Sequence, residues 1–468
     1  MIADQEQLIA AITREVLARL NGHASATTGG ADGVFPTVDQ AVQAAAKAQE
    51  CVGAMSLEQR GRMVAIIRGL CRDHAEEWAR LELAETKIGR ADHKADKLRN
   101  IRLVPGAEAM ESEARSDTSG LCVIEHAPWG VIGMVLPATH SAPTMASNAI
   151  NILAAGNTAV FSPHPTGVKI AALALQHFNR EIQRELGVTN VLTMAQDATI
   201  QNAEAMFQHP QIALICATGG PAVVNAAMKS GKRVIAAGPG NPPVVVDETA
   251  DLDAAAKAII AGASFDNNLL CIGEKEVFVL SSVADAFLAA MRRASAVQLD
   301  TAAIERLTSA AFKIENGHAH VKRDYIGKDV SFLAQSAGVT APPGTDLLFG
   351  ETREDHPFVQ EEQMMPFLPV VRMPDIDSAI AASVKAEHGY RHTAVIHSRH
   401  TGNVTKMARA MNCTLFIQNA SCFASLGVGG PSYLSHSIAT PTGEGVTTPM
   451  TFTRQRRIVI GAGGLRIL

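Results

Sequence analysis

The sequence predicts an α/β protein with two doubly wound lobes, because short apolar runs alternate with helical stretches twice along the chain. The runs are continuously apolar, as expected for parallel strands covered by helices on both faces. The tail from Met450 to Leu468 alternates apolar and polar residues, which predicts an edge strand able to pair with another subunit. The predicted strands lie at residues 131–137, 158–162, 190–195 and 211–217 in the first lobe, and at residues 242–247, 276–280, 367–373, 393–398 and 414–419 in the second.

Two segments precede the first lobe. Residues 1–20 place their apolar side chains on one side of a helical wheel, which predicts an amphipathic helix. Residues 21–33 are small and polar without periodicity, which predicts a flexible linker. We expect a helix beyond such a linker to bury its apolar stripe against another molecule, with docking on its own body or a sister subunit as the alternative. The body begins at residue 34, and Thr37 and Gln40 have the spacing of a capping box.

The composition excludes several classes of protein. The chain has 468 residues, a formal net charge of -5 and no block of lysine and arginine, so nucleic acid is not an expected partner. We find neither a membrane-length apolar run nor a signal peptide. The seven cysteines lack C-x-x-C spacing, which argues for a reducing compartment without disulfides or structural zinc. Cys51, Cys71 and Cys216 are interpreted as small buried apolar residues.

A threonine and two glycines follow the strand predicted at residues 211–217. Thr218, Gly219 and Gly220 lead directly into a helical run at Pro221. Such a turn presents backbone N–H groups and a helix N-terminus to a phosphate group. The same residues also suit an ordinary strand-to-helix turn, so both interpretations stay open at this stage.

Cys271 has polar surroundings unlike those of the other cysteines. Asp266, Asn267 and Asn268 precede it and Gly273 follows, which predicts a turn with a reachable thiol. Asparagine and backbone amides could stabilise a thiolate or an oxyanion there. Cys271 is therefore the candidate nucleophile, with a buried structural role as the alternative.

Several motifs resemble, in order, the CoA-acylating branch of the aldehyde dehydrogenase superfamily, in particular the propionaldehyde and acetaldehyde dehydrogenases of bacterial microcompartments. They are LAAGNTAVFSPHP, AAGPGNPPVVVDETADLDAAA, FDNNLLCIGEK, HPFVQEEQMMPFLPVV and TPTGEGVTTPMTFTRQRR. The resemblance implies two Rossmann-like lobes and an oligomerisation strand. The implied domains are an NAD- and CoA-binding domain at residues 34–241, a catalytic domain at 242–434, and a segment at 435–468 that returns to the cofactor domain.

The resemblance also implies roles for single residues. Cys271 would attack a short-chain aldehyde, transfer its hydride to NAD and pass the resulting acyl group to coenzyme A. Glu362 would hold the nicotinamide ribose, although Glu361 is an alternative. The remaining cofactor contacts would come from Thr218, Gly219, Gly220, Ser162, Pro163, His164, Gly238 and Pro239.

Three departures from related sequences bear on the mechanism. Hydrolytic relatives have a glutamate at about Ala237, so this chain lacks the base that activates water. Ser162 and Pro165 replace a lysine and a glutamate that grip the adenosine ribose, which suits alternating visits by NAD and coenzyme A. His140 stands where this branch has an asparagine, so His140 or Thr139 is the candidate oxyanion donor beside the Cys271 backbone N–H.

The resemblance sets the expected context of the enzyme. We expect a homo-oligomer, dimer or tetramer, in the cytoplasm within a bacterial microcompartment, with residues 1–20 bound to a shell protein. The alternatives are a hydrolytic aldehyde dehydrogenase that releases the free acid and a cargo or scaffold protein with a decayed site. Cys422 is the runner-up thiol, and His318 and His320 are interpreted as a solvated loop because no third ligand lies at metal-site spacing.

Overall fold

The first lobe is built on a six-stranded parallel sheet. A computed structural model describes residues 31–315 and 317–461, so the predicted helix at 1–20, residues 21–30 of the linker and residues 462–468 lie outside it. In spatial order the strands are Val34–Phe35, Leu192–Ala195, Thr158–Ser162, Val131–Val135, Ile212–Thr218 and Arg233–Ala237.

The second lobe is built on a seven-stranded parallel sheet. Its central strands are fully buried, as the apolar runs predicted. In spatial order the strands are Val297–Gln298, Leu348–Glu351, Phe367–Met373, Glu276–Leu280, Pro243–Val246, Thr393–His397 and Leu415–Gln418.

Helices cover both sheets and confirm the predicted α/β class. In the first part of the chain they are Val38–Ala54, Leu57–Asp73, Ala75–Thr86, Ala91–Arg99, Ser141–Ala154, Val168–Leu186, Ile200–Gln208 and Pro221–Met228. In the second they are Leu252–Ser264, Ala284–Arg293, Thr301–Ala311, Val330–Ala337, Pro357–Gln360, Ile376–Ala386 and Thr401–Met411. The Thr37 side chain caps the first of these helices by accepting from the Gln40 N–H at 3.3 Å.

The tail forms an edge strand, as its alternating pattern predicted. Thr453–Ile460 pairs antiparallel with Gly120–Pro128, which in turn pairs with Glu113–Asp117 in a three-stranded sheet. Before this strand the chain contacts the first lobe, where the Ser437 hydroxyl lies 2.6 Å from that of Thr218. The last part of the chain is therefore attached to the first sheet.

Two local predictions differ from the structure. Residues 312–321 form an antiparallel hairpin rather than a loop, although His318 and His320 are exposed as expected for solvated side chains. Cys51 is exposed because it lies on the outer face of its helix, whereas Cys71 and Cys216 are buried.

The order of the first sheet creates a crevice at the carboxyl ends of its strands. Val131–Val135 lies between Thr158–Ser162 and Ile212–Thr218. The chain builds outward to Leu192–Ala195 on one side of it and then crosses to Ile212–Thr218 on the other side. Ligands of open α/β sheets bind at such a switch point. In the described parts of the chain, none of the helices has the length and apolar character needed to cross a bilayer.

Candidate active site

Cys271 lies in a turn that strained backbone and one lysine hold in place. Asp266, Asn267 and Asn268 adopt left-handed φ angles of 49°, 56° and 60°, a conformation that Asp and Asn tolerate better than most residues. The buried Lys275 ammonium donates to the Asn268 carbonyl at 3.0 Å, the Asn268 side-chain oxygen at 2.5 Å and the Leu270 carbonyl at 2.8 Å. The strained residues before Cys271 and the lysine after it thus hold the turn in one conformation.

The two asparagines do not have the thiolate-stabilising role suggested by the sequence. The Asn267 amide donates to the Gly327 carbonyl at 2.9 Å and to Asp329 at 2.8 Å. The Asn268 amide donates to the Glu274 carbonyl at 3.1 Å. Because these N–H groups brace the turn, the asparagines position Cys271 rather than contact its sulfur.

A buried charge cluster connects the Cys271 turn to the loop carrying Thr139. The Asp266 carboxylate is paired with the Lys97 ammonium and lies 3.7 Å from that of Lys94. Lys94 also lies 3.9 Å from Glu82 and donates to the Thr139 carbonyl at 3.2 Å. The cluster therefore fixes both the Cys271 turn and the loop carrying Thr139.

The pKa of the Cys271 thiol is raised above its ordinary value. Burial, followed by the negative charge of Glu362, raises the pKa of the thiol to about 12, while the Lys275 charge acts in the opposite direction. Burial also raises the pKa of Glu362 to about 7. A proton acceptor is therefore needed when Cys271 attacks an electrophile.

The structure distinguishes Glu362 from Glu361. The charge of Glu362 acts on Cys271 and Lys275, and its carboxylate accepts from the Gly240 N–H. The pKa of Glu361 is raised by burial and is affected instead by nearby histidines, including His320. Glu362 therefore lies on the Cys271 side of the segment.

A small pocket opens beside Cys271. His140 is buried at its wall, and its Nε2 atom lies 3.5 Å from the Thr139 hydroxyl. Most other lining side chains are apolar, namely Phe265, Leu270, Ile272, Phe423, Leu426, Val428, Leu434 and Ile438. The pocket is thus suited to a small, largely apolar ligand.

The predicted cofactor residues occupy different surroundings. Ser162 and Pro163 line a second pocket together with Asp197 and Asn202, whereas the ring of the exposed His164 caps a short turn by accepting from the Thr166 N–H at 3.2 Å. This second pocket lies at the carboxyl end of Thr158–Ser162, where a nucleotide binds in doubly wound sheets. The polar side chains in its lining are those of Ser162, Asp197 and Asn202.

The turn at Thr218 is more constrained than a free phosphate-binding loop. The Thr218 hydroxyl is 2.6 Å from Ser437, and the Gly219 N–H donates to the Ala237 carbonyl at 3.1 Å. Gly220 precedes the helix directly and is the remaining donor of the predicted set. Gly238 and Pro239 are half-buried beyond Ala237, where a Cβ on Gly238 would lie 3.1 Å from Pro441.

Sequence reasoning missed two histidines of the site. His392 is buried against Gly240, where a Cβ would lie 3.0 Å from the His392 ring and 2.6 Å from the Cys271 carbonyl oxygen. Burial and the Lys275 charge lower the pKa of His392 to about 4. His436 lines the Cys271 pocket. His392 has three histidine neighbours within residues 388–400, so the sequence offered no signal that singled it out.

The other thiol candidate and a metal site find less support. Cys422 is fully buried, and its N–H donates to Glu274 at 2.9 Å, whereas Cys271 is half-buried at a pocket. Within residues 31–315 and 317–461, no cluster of three His, Cys, Asp or Glu side chains could hold a metal ion.

The chain belongs to the aldehyde dehydrogenase family, whose sequence profile matches residues 13–430. It is 43% identical over 461 residues to an acetaldehyde dehydrogenase (acetylating) of Salmonella typhimurium, and the match covers 98% of each chain. The family resemblance inferred from the motifs is thereby confirmed, and this acylating relative favours that branch over the hydrolytic one.

Two solved structures share the fold closely. A propionaldehyde dehydrogenase from the Clostridium phytofermentans fucose utilisation bacterial microcompartment superposes with a TM-score of 0.91 at 38% identity, covering 93% of this chain and 100% of that one. A Rhodopseudomonas palustris propionaldehyde dehydrogenase with bound propionyl-CoA superposes with a TM-score of 0.89 at 39% identity, covering 92% and 95%. The aldehyde dehydrogenase fold predicted from the sequence is confirmed.

Proposed function

We propose that this protein is an NAD-dependent, CoA-acylating aldehyde dehydrogenase that converts a short-chain aldehyde, such as propionaldehyde or acetaldehyde, into acyl-CoA. The position of Cys271 at a small apolar pocket is the observation that carries this proposal. The relatives described as acetylating, and the similar structure with bound propionyl-CoA, support the same chemistry.

Cys271 forms the covalent intermediate. Its sulfur bonds to the aldehyde carbon as the thiol loses its proton, and the carbonyl oxygen becomes an oxyanion. Bound NAD would supply the acceptor for the hydride on this carbon. A thioester then remains on Cys271, and attack by the coenzyme A thiol releases acyl-CoA and returns the cysteine sulfur.

His392 and Glu362 are the candidate acceptors of the thiol protons. Burial keeps the His392 imidazole neutral at neutral pH, and the pKa of Glu362 lies at about 7. A base with a pKa near the working pH transfers protons efficiently in both directions. The Glu362 carboxylate is also the proposed contact of the nicotinamide ribose. It can hold the ribose and accept a thiol proton at different steps of the reaction.

The oxyanion has three candidate donors. They are the Cys271 backbone N–H, the Thr139 hydroxyl and a nitrogen of His140, whose ring lies at the pocket wall. A donor held in place before reaction stabilises developing charge without reorganisation. Lys94 holds the Thr139 carbonyl, which gives this loop the required rigidity.

The cofactor contacts are proposed for two regions. Ser162 and Pro163 border the adenosine pocket, with His164 at its outer edge, and Thr218, Gly219 and Gly220 form the turn next to the pyrophosphate. Ser162 is a weaker ribose partner than a charged side chain. NAD and coenzyme A can therefore use this region in turn. Gly238 and Pro239, which follow Ala237, are the remaining proposed cofactor contacts.

Steady-state kinetics test the proposed function directly. NADH formation with propionaldehyde should depend strongly on coenzyme A and should yield propionyl-CoA. The Cys271→Ser variant should lose this activity, whereas Cys422→Ala should retain it. Equal turnover with and without coenzyme A, with propionate as product, would instead establish the hydrolytic reaction.

The same enzyme is proposed to act as a homo-oligomer in the cytoplasm within a bacterial microcompartment. The match to a microcompartment enzyme supports this location, and the amphipathic pattern of residues 1–20 supports contact with a shell protein. Deleting residues 1–20 should abolish co-purification with shells while activity persists. Loss of activity in the deletion variant would indicate a structural helix instead.

A further inference from the structure

Two imidazole rings share the wall of the Cys271 pocket. The rings of His140 and His436 lie 5.5 Å apart at an interplanar angle of 39°. The Nδ1 atom of His140 and the Nε2 atom of His436 are both buried, and neither has a hydrogen-bond partner in the described part of the chain. Two of the side chains that line the pocket therefore each contain a buried nitrogen without a partner.

Both rings are neutral at physiological pH. Burial, with the nearby Lys97 charge, lowers the pKa of His436 to about 3 and lowers that of His140 well below its ordinary value. The Lys97 ammonium is itself paired with Asp266. Neutral rings beside a compensated ion pair favour an uncharged ligand over a carboxylate.

A hydrocarbon chain complements only the apolar part of this pocket. It covers the apolar walls but leaves a buried imidazole nitrogen without the hydrogen bond that a polar group could supply. If one of the two histidines donates a hydrogen bond to the aldehyde oxygen, the buried nitrogen of the other histidine still lacks a partner. A hydroxyl group both donates and accepts, so it can pair with either tautomer of the second ring.

We propose that the preferred substrate is a short aldehyde bearing a hydroxyl group, with this hydroxyl bound by His436 and the aldehyde oxygen on the side of His140. The inference rests on the proposed function and specifies its substrate class. A site that hydrogen-bonds a substrate hydroxyl discriminates strongly against the analogue that lacks it.

Matched aldehyde pairs test the proposal in the wild-type enzyme. We expect kcat/KM for glycolaldehyde and 2-hydroxypropanal to exceed that for acetaldehyde and propanal, respectively, by about tenfold or more, which corresponds to ~1.4 kcal/mol. Concentrations should refer to the free monomeric aldehyde. Equal or lower values for the hydroxyaldehydes would overturn the inference.

Variants locate the source of the preference. His436→Leu should lower the hydroxyl-to-hydrogen ratio of kcat/KM by about tenfold, and His436→Gln, which keeps a neutral donor and acceptor, should restore part of it. Val428→Ala alters the apolar wall and should change both members of a pair alike. An unchanged ratio in His436→Leu would contradict the assignment.

The two proposals fail in different ways. CoA-dependent thioester formation from acetaldehyde and propanal, without a preference for hydroxyaldehydes, would overturn only the substrate class. Absence of acyl-CoA product from all four aldehydes would overturn the proposed function and the substrate class with it.

Discussion

The ammonium of Lys97 and the carboxylate of Asp266 form a buried ion pair that connects two parts of the chain 169 residues apart. Asp266 begins the left-handed run that leads to Cys271, and it also accepts from the Arg90 N–H at 2.7 Å. The position of the nucleophile therefore depends on a helix of the other lobe.

The Lys97→Met substitution should destabilise the protein by about 3–5 kcal/mol, because it leaves the buried Asp266 charge with only the more distant Lys94. Urea unfolding measures this change. Lys313→Met removes an exposed ion pair with Glu315 and should change the free energy of unfolding by less than about 0.5 kcal/mol. Similar small effects for both variants would contradict a structural role for the buried pair.

The Glu362→Gln substitution should accelerate alkylation of Cys271 by iodoacetamide several-fold at a fixed pH. The Glu362 charge raises the pKa of the thiol, so its removal lowers that pKa and increases the thiolate fraction. Peptide mapping by mass spectrometry follows the reaction, with the exposed Cys51 as internal reference. Glu361→Gln should leave the rate unchanged. Slower alkylation in Glu362→Gln would show that the Glu362 charge does not raise the pKa of the Cys271 thiol.

The wild-type alkylation rate should itself depend on pH in a defined way. With a thiol pKa of about 12, the rate at Cys271 should rise about tenfold per pH unit from neutral pH through pH 10. A plateau near pH 8 would instead indicate a thiol activated in the free enzyme.

The Gly240→Ala substitution should reduce kcat by roughly 100-fold while the protein remains folded. A Cβ at this position would lie 2.6 Å from the Cys271 carbonyl oxygen, so the nucleophile and His392 would be pushed apart. Circular dichroism and steady-state kinetics separate folding from activity. Gly69→Ala adds a methyl group on an open helix surface and should leave kcat intact.

The Val459→Asp substitution should dissociate the proposed oligomer. Val459 is 71% exposed on Thr453–Ile460, one of the two edge strands of the three-stranded sheet. Ile458 and Ile460 are also exposed, so the strand offers an apolar edge for pairing. Sedimentation velocity should show a smaller species for this variant, and the same species as wild type for Val384→Asp on a helix of the second lobe. An unchanged oligomer in Val459→Asp would exclude this edge.

Most of the sheet structure could be predicted because buried parallel strands are continuously apolar. Phe367–Met373, for example, occupies the predicted residues. Arg233–Ala237 was missed because glycines lie close to both of its ends, and Leu348–Glu351 was missed because Gly350 interrupts its apolar run. The hairpin at residues 312–321 was missed because its mostly exposed strands lack an apolar face.

Only part of the candidate site could be predicted from the sequence. Cys271 lies in a recognisable motif, but Lys97 and His436 reach the same pocket from distant parts of the chain. Their side chains also have ordinary sequence surroundings. Such contacts depend on the packing of the two lobes, which periodicity and local spacing do not specify.

A single-turnover experiment tests the central claim most directly. The enzyme should be mixed with propionaldehyde and NAD without coenzyme A, and Cys271 should then be analysed by mass spectrometry. We predict one burst of NADH per active site, a lasting propionyl thioester on Cys271, and its discharge as propionyl-CoA after coenzyme A is added. Continuous NADH formation with release of propionate, or an acyl group on Cys422 instead of Cys271, would contradict the account.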